Sequence, residues 1–248
     1  MLTEERYSII LETVNKQRSV KLSDLCVLLD TSESTIRRDL NALAEKGMLT
    51  KVHGGAIALD DSFTFIEHNV EEKSKLFAVE KEAIAKFAAS LVSNDDFVFL
   101  DAGTTTEKII DYLPERNATF VTNGLIHAKK LAQRGFKVFI PAGEIKLTTE
   151  AIVGAECVLT LQNYNFTKCF MGVNGISLSA GLSTPDKNEA SIKTAVLNNS
   201  QKVYVLADHS KFDKVTSVTF APLNRGKIIT DKLEDRKYLT KASIKEVL

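Results

Sequence analysis

Two stretches of this 248-residue chain carry residue types at spacings that could do chemistry. The first is Ser32-Glu33-Ser34-Thr35-Ile36-Arg37-Arg38-Asp39-Leu40. Ile36, Leu40 and Leu43 recur at helical spacing and face inward, which leaves Glu33, Ser34, Thr35, Arg37 and Arg38 on the outer surface. Short hydroxyls and arginines near a helix N-terminus suit insertion into a DNA major groove. Arg pairs with guanine through two hydrogen bonds, worth about 1–3 kcal/mol of discrimination, and Ser or Thr hydroxyls hold phosphates. Ser32 is placed to cap the helix by accepting a free backbone N–H. Lys51 and His53 fall on a following hairpin, placed to touch the DNA backbone. The plain alternative is a solvated helix face in a generic three-helix domain.

The second stretch is a series of polar segments that each follow a short apolar run. In open α/β sheets, ligands bind outside the carboxyl ends of the strands. Asp101-Ala102-Gly103-Thr104-Thr105-Thr106 opens a helix, and successive N–H groups at a helix N-terminus attract an anion. The ordinary alternative for this segment is a threonine N-cap. Thr122-Asn123-Gly124 repeats the chemistry on a smaller scale. Gly143 follows the next run, with Lys146 close behind, then Gly172-Val173-Asn174-Gly175, and then Ala207-Asp208-His209-Ser210-Lys211. Glu189 and Lys193 stand four apart, on one face of a helix; the bland reading of that pair is an exposed ion pair. Five such exits would converge on one sheet edge and bind a polyhydroxyl phosphate. Amides and lysines would hold the phosphate, and Asp, Asn and Glu the hydroxyls.

The elements that must position these residues are legible as two blocks. Residues 1–58 read as three helices and a hairpin. Tyr7, Ile10, Leu11 and Val14 mark the first helix. Ser19 and Val20 lead into a short second helix with Leu22, Leu25, Cys26, Leu28 and Leu29 on its apolar face. Gly47 ends the third helix. A strand over Met48–His53, a Gly54-Gly55 turn and a return over Ala56–Leu59 follow. Residues 59–76 are a polar connector in which Phe63, Phe65 and Ile66 are the apolar exceptions. From residue 77 onward, apolar runs alternate with helical stretches, the pattern of a mostly parallel sheet covered on both faces. The runs are Phe97–Leu100, Ala118–Val121, Lys137–Ile140, Cys169–Met171, Val203–Leu206 and Lys227–Ile229.

Composition narrows the function. Lys plus Arg equals Asp plus Glu, so the net charge is zero and any DNA contact must come from a local patch. No apolar stretch approaches the roughly 20 residues that span a bilayer, and the charged start is unlike a secretory segment, so a cytoplasmic chain without a membrane partner is expected. Cys26, Cys157 and Cys169 are scattered and read as buried thiols. The four histidines are equally dispersed, and neither a metal site nor a cofactor is expected.

The first block resembles the DeoR family of bacterial sugar-metabolism regulators. The resemblance lies in Val20-Lys21-Leu22-Ser23-Asp24-Leu25, Ser34-Thr35-Ile36-Arg37-Arg38-Asp39-Leu40, Gly47-Met48-Leu49 and Val52-His53-Gly54-Gly55-Ala56. It continues through Asp101–Thr105, Val121–Asn123, Gly172–Ile176, Glu189-Ala190 with Lys193, and Leu206–Phe212, and so covers nearly the whole chain. It implies a winged helix-turn-helix with Ser34, Thr35, Arg37 and Arg38 on operator DNA. It also implies an effector domain similar in fold to ribose-5-phosphate isomerase, occupying residues 77–248. A sugar-phosphate effector follows, fructose 1-phosphate first, with other ketose or aldose phosphates and glycerol 3-phosphate open. So do altered DNA binding on ligation, and dimers or tetramers. Isomerases of that fold carry catalytic aspartates where this chain reads Gly172–Gly175 without a carboxylate; Glu189 matches their glutamate base. A base without partner acids moves protons poorly, so the resemblance implies a binding relic with no catalytic residue. Lys146 stands where many relatives have Arg. The rivals are a sugar-phosphate isomerase with a helical appendage and a winged helix that binds protein.

Overall fold

Hydrophobic periodicity draws the chain into two compact units, Met1–Asp61 and Ser62–Leu248, in the computed structural model. It describes residues 3–17, 19–46, 48–52, 54–57, 63–64, 70–114 and 117–248. Gly47, His53 and residues 58 and 59 lie outside the described residues, as do Phe65 and Ile66.

In the first unit, helices α1 (Thr3–Gln17), α2 (Leu22–Leu29) and α3 (Glu33–Glu45) pack on a small sheet of β1 (Ser19–Lys21), β2 (Thr50–Val52) and β3 (Gly55–Ile57). Ile10, Val14, Leu25, Ile36, Leu40 and Leu43 form its core. Ser19–Lys21 leads directly into α2, as the sequence suggests, and does so as a strand. It is a strand antiparallel to β3, with Val20 turned in between two exposed neighbours. That pairing explains Gly55, since a Cβ there would lie 2.1 Å from the Val20 carbonyl oxygen. Leu28 is exposed and not part of the apolar face, because Leu22, Leu25 and Leu29 already fill the inner side of α2.

The second unit continues with β4 (Phe63–Thr64), α4 (Val70–Lys75), α5 (Ala78–Ser90), β5 (Phe97–Leu100), α6 (Thr104–Tyr112), β6 (Thr119–Thr122), α7 (Leu125–Gln133) and β7 (Lys137–Phe139). Then come β8 (Glu144–Lys146), β9 (Ala151–Val153), α8 (Ala155–Gln162), β10 (Phe166–Gly172), β11 (Gly175–Ser177), β12 (Gly181–Thr184) and α9 (Lys187–Asn198). It closes with β13 (Ser200–Leu206), β14 (Val215–Thr216), β15 (Val218–Ala221), β16 (Lys227–Thr230) and β17 (Ser243–Glu246). The central sheet runs β17-β16-β13-β10-β5-β6-β7 with every pair parallel. Side chains alternate across it. Val98, Leu100 and Phe170 pack with α5, α6 and α7 on one face. Phe99, Cys169 and Met171 pack with α8 and α9 on the other. The chain steps from β5 outward to β6 and β7, then returns to lay β10 on the opposite side of β5. The crevice between β5 and β10 is therefore the topological switch point, where α/β sheets bind ligands.

The polar connector expected over 59–76 is partly structured. β4 pairs in parallel with β14, and α4 follows it, so both belong to the second unit. Backbone pairing of a two-residue strand leaves no hydropathy pattern to read. Cys157 and Cys169 are buried, whereas Cys26 is only half-buried. Among the described residues no helix is long and apolar enough to cross a membrane.

Candidate functional site

The α3 surface comes first. Ser32 occupies the N-cap position of α3 with extended backbone, but its hydroxyl accepts no backbone N–H. It sits instead 3.0 Å from Ser34 Oγ and 3.1 Å from Thr35 Oγ1, because neighbouring hydroxyls offer nearer partners. Three hydroxyls thus cluster at the leading end of α3. Arg37 and Arg38 are exposed on the same helix. Arg37 donates to Glu33 at 3.2 Å, an exposed pair worth about 0–1 kcal/mol and easily exchanged for a better acceptor. Lys51 donates to Asn41 of α3 at 2.6 Å, which ties β2 to the helix. His53 lies outside the described residues. Asp39 is buried and takes a bidentate pair from Arg6 of α1 at 2.6 and 3.1 Å. That fork fixes the pitch of α3, so the last acidic residue of the motif holds the helix and does not face outward.

In the second unit, a cavity of about 280 Å³ opens at the carboxyl ends of β5, β10 and β13. Three of the five polar exits meet there: Asp101–Thr106, Gly172–Asn174 and Ala207–Lys211. Thr104 and Thr105 line it at the N-terminus of α6, where backbone N–H groups lack helical acceptors. Five lysines line it as well: Lys73, Lys81, Lys193, Lys211 and Lys214. Lys211 and Lys214 have no carboxylate partner among the described residues.

Several expected ligand contacts are instead committed to the walls. Asp101 is buried; its Oδ2 accepts from Lys193 Nζ and, at 2.9 Å, from the Gly172 N–H. Lys193 also donates to the Gly172 carbonyl at 3.0 Å. This knot clamps β5, β10 and α9 together at the switch point. Burial pushes the Asp101 carboxyl up, and Lys193 pulls it back. Thr106 turns inward, donating to the Asp101 and Gly103 carbonyls. His127 supports it from behind, with Nε2 3.2 Å from Thr106 Oγ1, and burial holds that imidazole neutral by pushing it down to about 4.

The remaining two exits do not line the cavity. Thr122 Oγ1 accepts from the Gly124 N–H, and Asn123 Oδ1 accepts from the Ala102 N–H at 3.0 Å, so this exit braces the Asp101 loop. Gly143 has φ +146° and a Cβ there would lie 2.5 Å from the Val153 carbonyl oxygen, so it permits the β8–β9 hairpin. Gly175 similarly lets the Lys214 backbone approach. Glu189 and Lys193 do not form an exposed ion pair with each other. Lys193 turns to Asp101, while Glu189 accepts from Lys146 at 3.0 Å and from Thr149 at 3.1 Å. Lys146 lies between Glu189 and Asp186, the latter at 3.3 Å, where a point charge serves without an arginine fork. Asn174 reaches the wall with its Oδ1 accepting from Thr184.

Lys81, Lys73, Lys214 and Thr216 line the cavity although the sequence pattern gives them no role. Lys81 is 3% exposed and its Nζ donates to the Lys73 carbonyl. Burial pushes it down to about 8, against the opposing pull of the Asp208 carboxylate. Its signal lay in helical spacing, since Lys81 shares a stripe with Ile84, Ala85 and Ala88 of the core. Among the described residues no cluster of three His, Cys, Asp or Glu could hold a metal ion.

Comparison with known proteins matches both units. A DeoR-like helix-turn-helix domain covers residues 6–62, and a DeoR C-terminal sensor domain covers residues 77–232. An uncharacterized HTH-type transcriptional regulator FruR of Bacillus subtilis (strain 168) is 39% identical over 236 residues, spanning 95% of this chain and 93% of its own. A lactose phosphotransferase system repressor of Staphylococcus aureus (strain NCTC 8325 / PS 47) is 34% identical over 240 residues, spanning 96% and 95%. The ribose 5-phosphate isomerase A of Methanocaldococcus jannaschii aligns with a TM-score of 0.40 and 18% identity over 53% of each chain, too distant to bear on function.

Proposed function

This chain belongs to the DeoR family of DNA-binding transcriptional regulators, and from that premise we propose that it represses a carbohydrate-utilisation operon and leaves its operator when a sugar phosphate enters the β5–β10 cavity. It is a regulator, not an isomerase. The observation that carries the effector reading is the lysine-lined cavity at the N-terminus of α6, on the switch point of the sheet. At about 280 Å³ it lies just below the usual range of ligand sites, which run roughly 300–1,000 Å³. The phosphate would take the free N–H groups of α6 with Lys81, Lys211 and Lys214. A repressor whose relative is described as a lactose phosphotransferase system repressor fits a sugar-type signal. Fructose 1-phosphate is the first ligand to try. The protein would act in the cytoplasm as a dimer or tetramer, with two α3 helices on half-sites about one DNA turn apart.

Release requires the ligand to bind the non-operator state more tightly, since only differential affinity shifts an equilibrium. Lys81 offers the coupling. It holds the carbonyl of Lys73 at the end of α4, and α4 with β4 opens the second unit directly after the first. A phosphate drawing on Lys81 competes with that carbonyl and loosens α4.

In fluorescence anisotropy with DNA upstream of its own operon, tight binding should weaken about 5–150-fold on adding the effector, the usual range of allosteric coupling. Tight binding that no sugar phosphate alters would overturn the effector reading, and an absence of DNA binding at low salt would overturn the repressor.

The depressed Lys81 gives a pH dependence of defined sign. The folded, ligand-free ammonium is lost as pH rises through about 8, while a sugar phosphate is already close to fully ionised above its second pKa of about 6. Effector affinity should therefore fall roughly ten-fold between pH 7 and 9. A Lys81→Arg variant stays charged and should flatten that profile. A calorimetric Kd series that is flat for the natural protein removes Lys81 from the phosphate site.

A further inference from the structure

Two buried side-chain polar atoms have no hydrogen-bond partner among the described residues, Asp208 Oδ2 and Thr216 Oγ1. Both residues line the same cavity. Asp208 is 1% exposed and Thr216 4%. The other Asp208 oxygen is already taken by the Ser210 N–H at 3.0 Å and by the Ser210 hydroxyl. Thr216 is held in place through its backbone N–H, which donates to Ser183 Oγ at 2.9 Å. A buried polar atom left unsatisfied is costly, and a carboxylate oxygen more so. Two such atoms on residues that line one cavity point to a ligand that completes them.

Their chemistry narrows that ligand. A carboxylate only accepts, so its partner must donate. A phosphate dianion has no proton to give. A cation could serve, but five lysines line the cavity and repel one. A hydroxyl both donates and accepts, so it can give its proton to Asp208 and share a second bond with the Thr216 hydroxyl. We propose that Asp208 and Thr216 are the hydroxyl-reading residues of this site, selecting a phosphorylated polyol over a bare phosphate. This rests on the effector reading above and adds the discrimination within it.

The test is calorimetric titration of the full chain with fructose 1-phosphate, glucose 6-phosphate, glycerol 3-phosphate and inorganic phosphate. The natural protein should prefer at least one polyol phosphate over inorganic phosphate. Asp208→Asn keeps an oxygen for Ser210 and removes a negative charge. It should weaken the best polyol phosphate about 10–100-fold, the loss of a hydrogen bond to a charged group, while inorganic phosphate binds more tightly. Thr216→Val should weaken the polyol phosphate about 2–12-fold, and it stands as the second variant if Asp208→Asn fails to fold by circular dichroism. Tighter binding of every anion to Asp208→Asn, or an unchanged polyol phosphate in either folded variant, overturns the inference and leaves the effector reading intact. A natural protein that binds inorganic phosphate as well as any polyol phosphate does the same. One that binds no phosphate compound at all overturns both.

Discussion

Arg37→Ala combined with Arg38→Ala lowers operator affinity at least ~100-fold near physiological salt and flattens its salt dependence. Both side chains project from the exposed face of α3, beside the Ser32, Ser34 and Thr35 hydroxyls at its leading end. A bidentate Arg–guanine contact is worth about 1–3 kcal/mol, so two per protomer reach two orders of magnitude. Each lost phosphate contact also reduces the slope of log affinity against log salt by about 1. The helix itself survives, because its core stripe and the Arg6–Asp39 fork are untouched, and alanine is a strong helix former. Anisotropy titrations at several salt concentrations separate the two effects. A drop in affinity with an unchanged slope assigns both arginines to bases. Unchanged affinity and slope remove α3 from the groove.

Asp101→Ala is expected to destabilise the second unit by about 3–5 kcal/mol, since it strands the buried Lys193 ammonium without its counter-ion. For a unit of this size the melting temperature falls by roughly 10 °C. Asp101 and Lys193 lie on different elements, and each also bonds Gly172, so the loss unclamps the floor of the cavity. Adding Lys193→Met removes the stranded charge and should recover part of the stability, because replacing both members of a buried pair by apolar groups is often neutral. Calorimetric unfolding of the two variants decides it. A double variant less stable than Asp101→Ala would show that Lys193 contributes by packing alone.

These two results concern residues that the sequence identified with unequal clarity. The α3 face was readable because Ile36, Leu40 and Leu43 define the inner stripe, and whatever remains must face outward. The inward turn of Asp39 was not, since its partner Arg6 lies on another helix. Strands of the central sheet stood out as apolar runs because both faces are covered. The short strands β4, β8, β11, β14 and β17 carry polar residues and gave no comparable pattern. The site itself was half legible. Gly, Thr and Asn after each apolar run marked five exits, but strand order decides which of them meet. With β10 on one side of β5 and β6 on the other, only the exits of β5, β10 and β13 share the cavity. The exit after β6 is adjacent in the sheet yet serves as a brace. Asp101 stands out in the sequence by its position after β5, but its pairing does not, because its partner Lys193 comes from a helix far along the chain. Lys81 went unassigned because a lysine in an alanine-rich amphipathic helix reads as a solvated residue until its alignment with Ile84 and Ala88 is noticed.

If this cavity controls DNA release, Lys81 is where that control can be cut. Operator-bound natural protein and a Lys81→Met variant would be titrated in parallel with fructose 1-phosphate and the other sugar phosphates, reading anisotropy at pH 7. At least one phosphate should release the natural protein, whereas Lys81→Met, which has lost the bond to the Lys73 carbonyl, should bind the operator more weakly from the start and need at least about ten times more of that phosphate for the same further fold-loss of affinity. Release of both proteins at the same concentration, or of neither, would show that phosphate binding at Lys81 does not control DNA release.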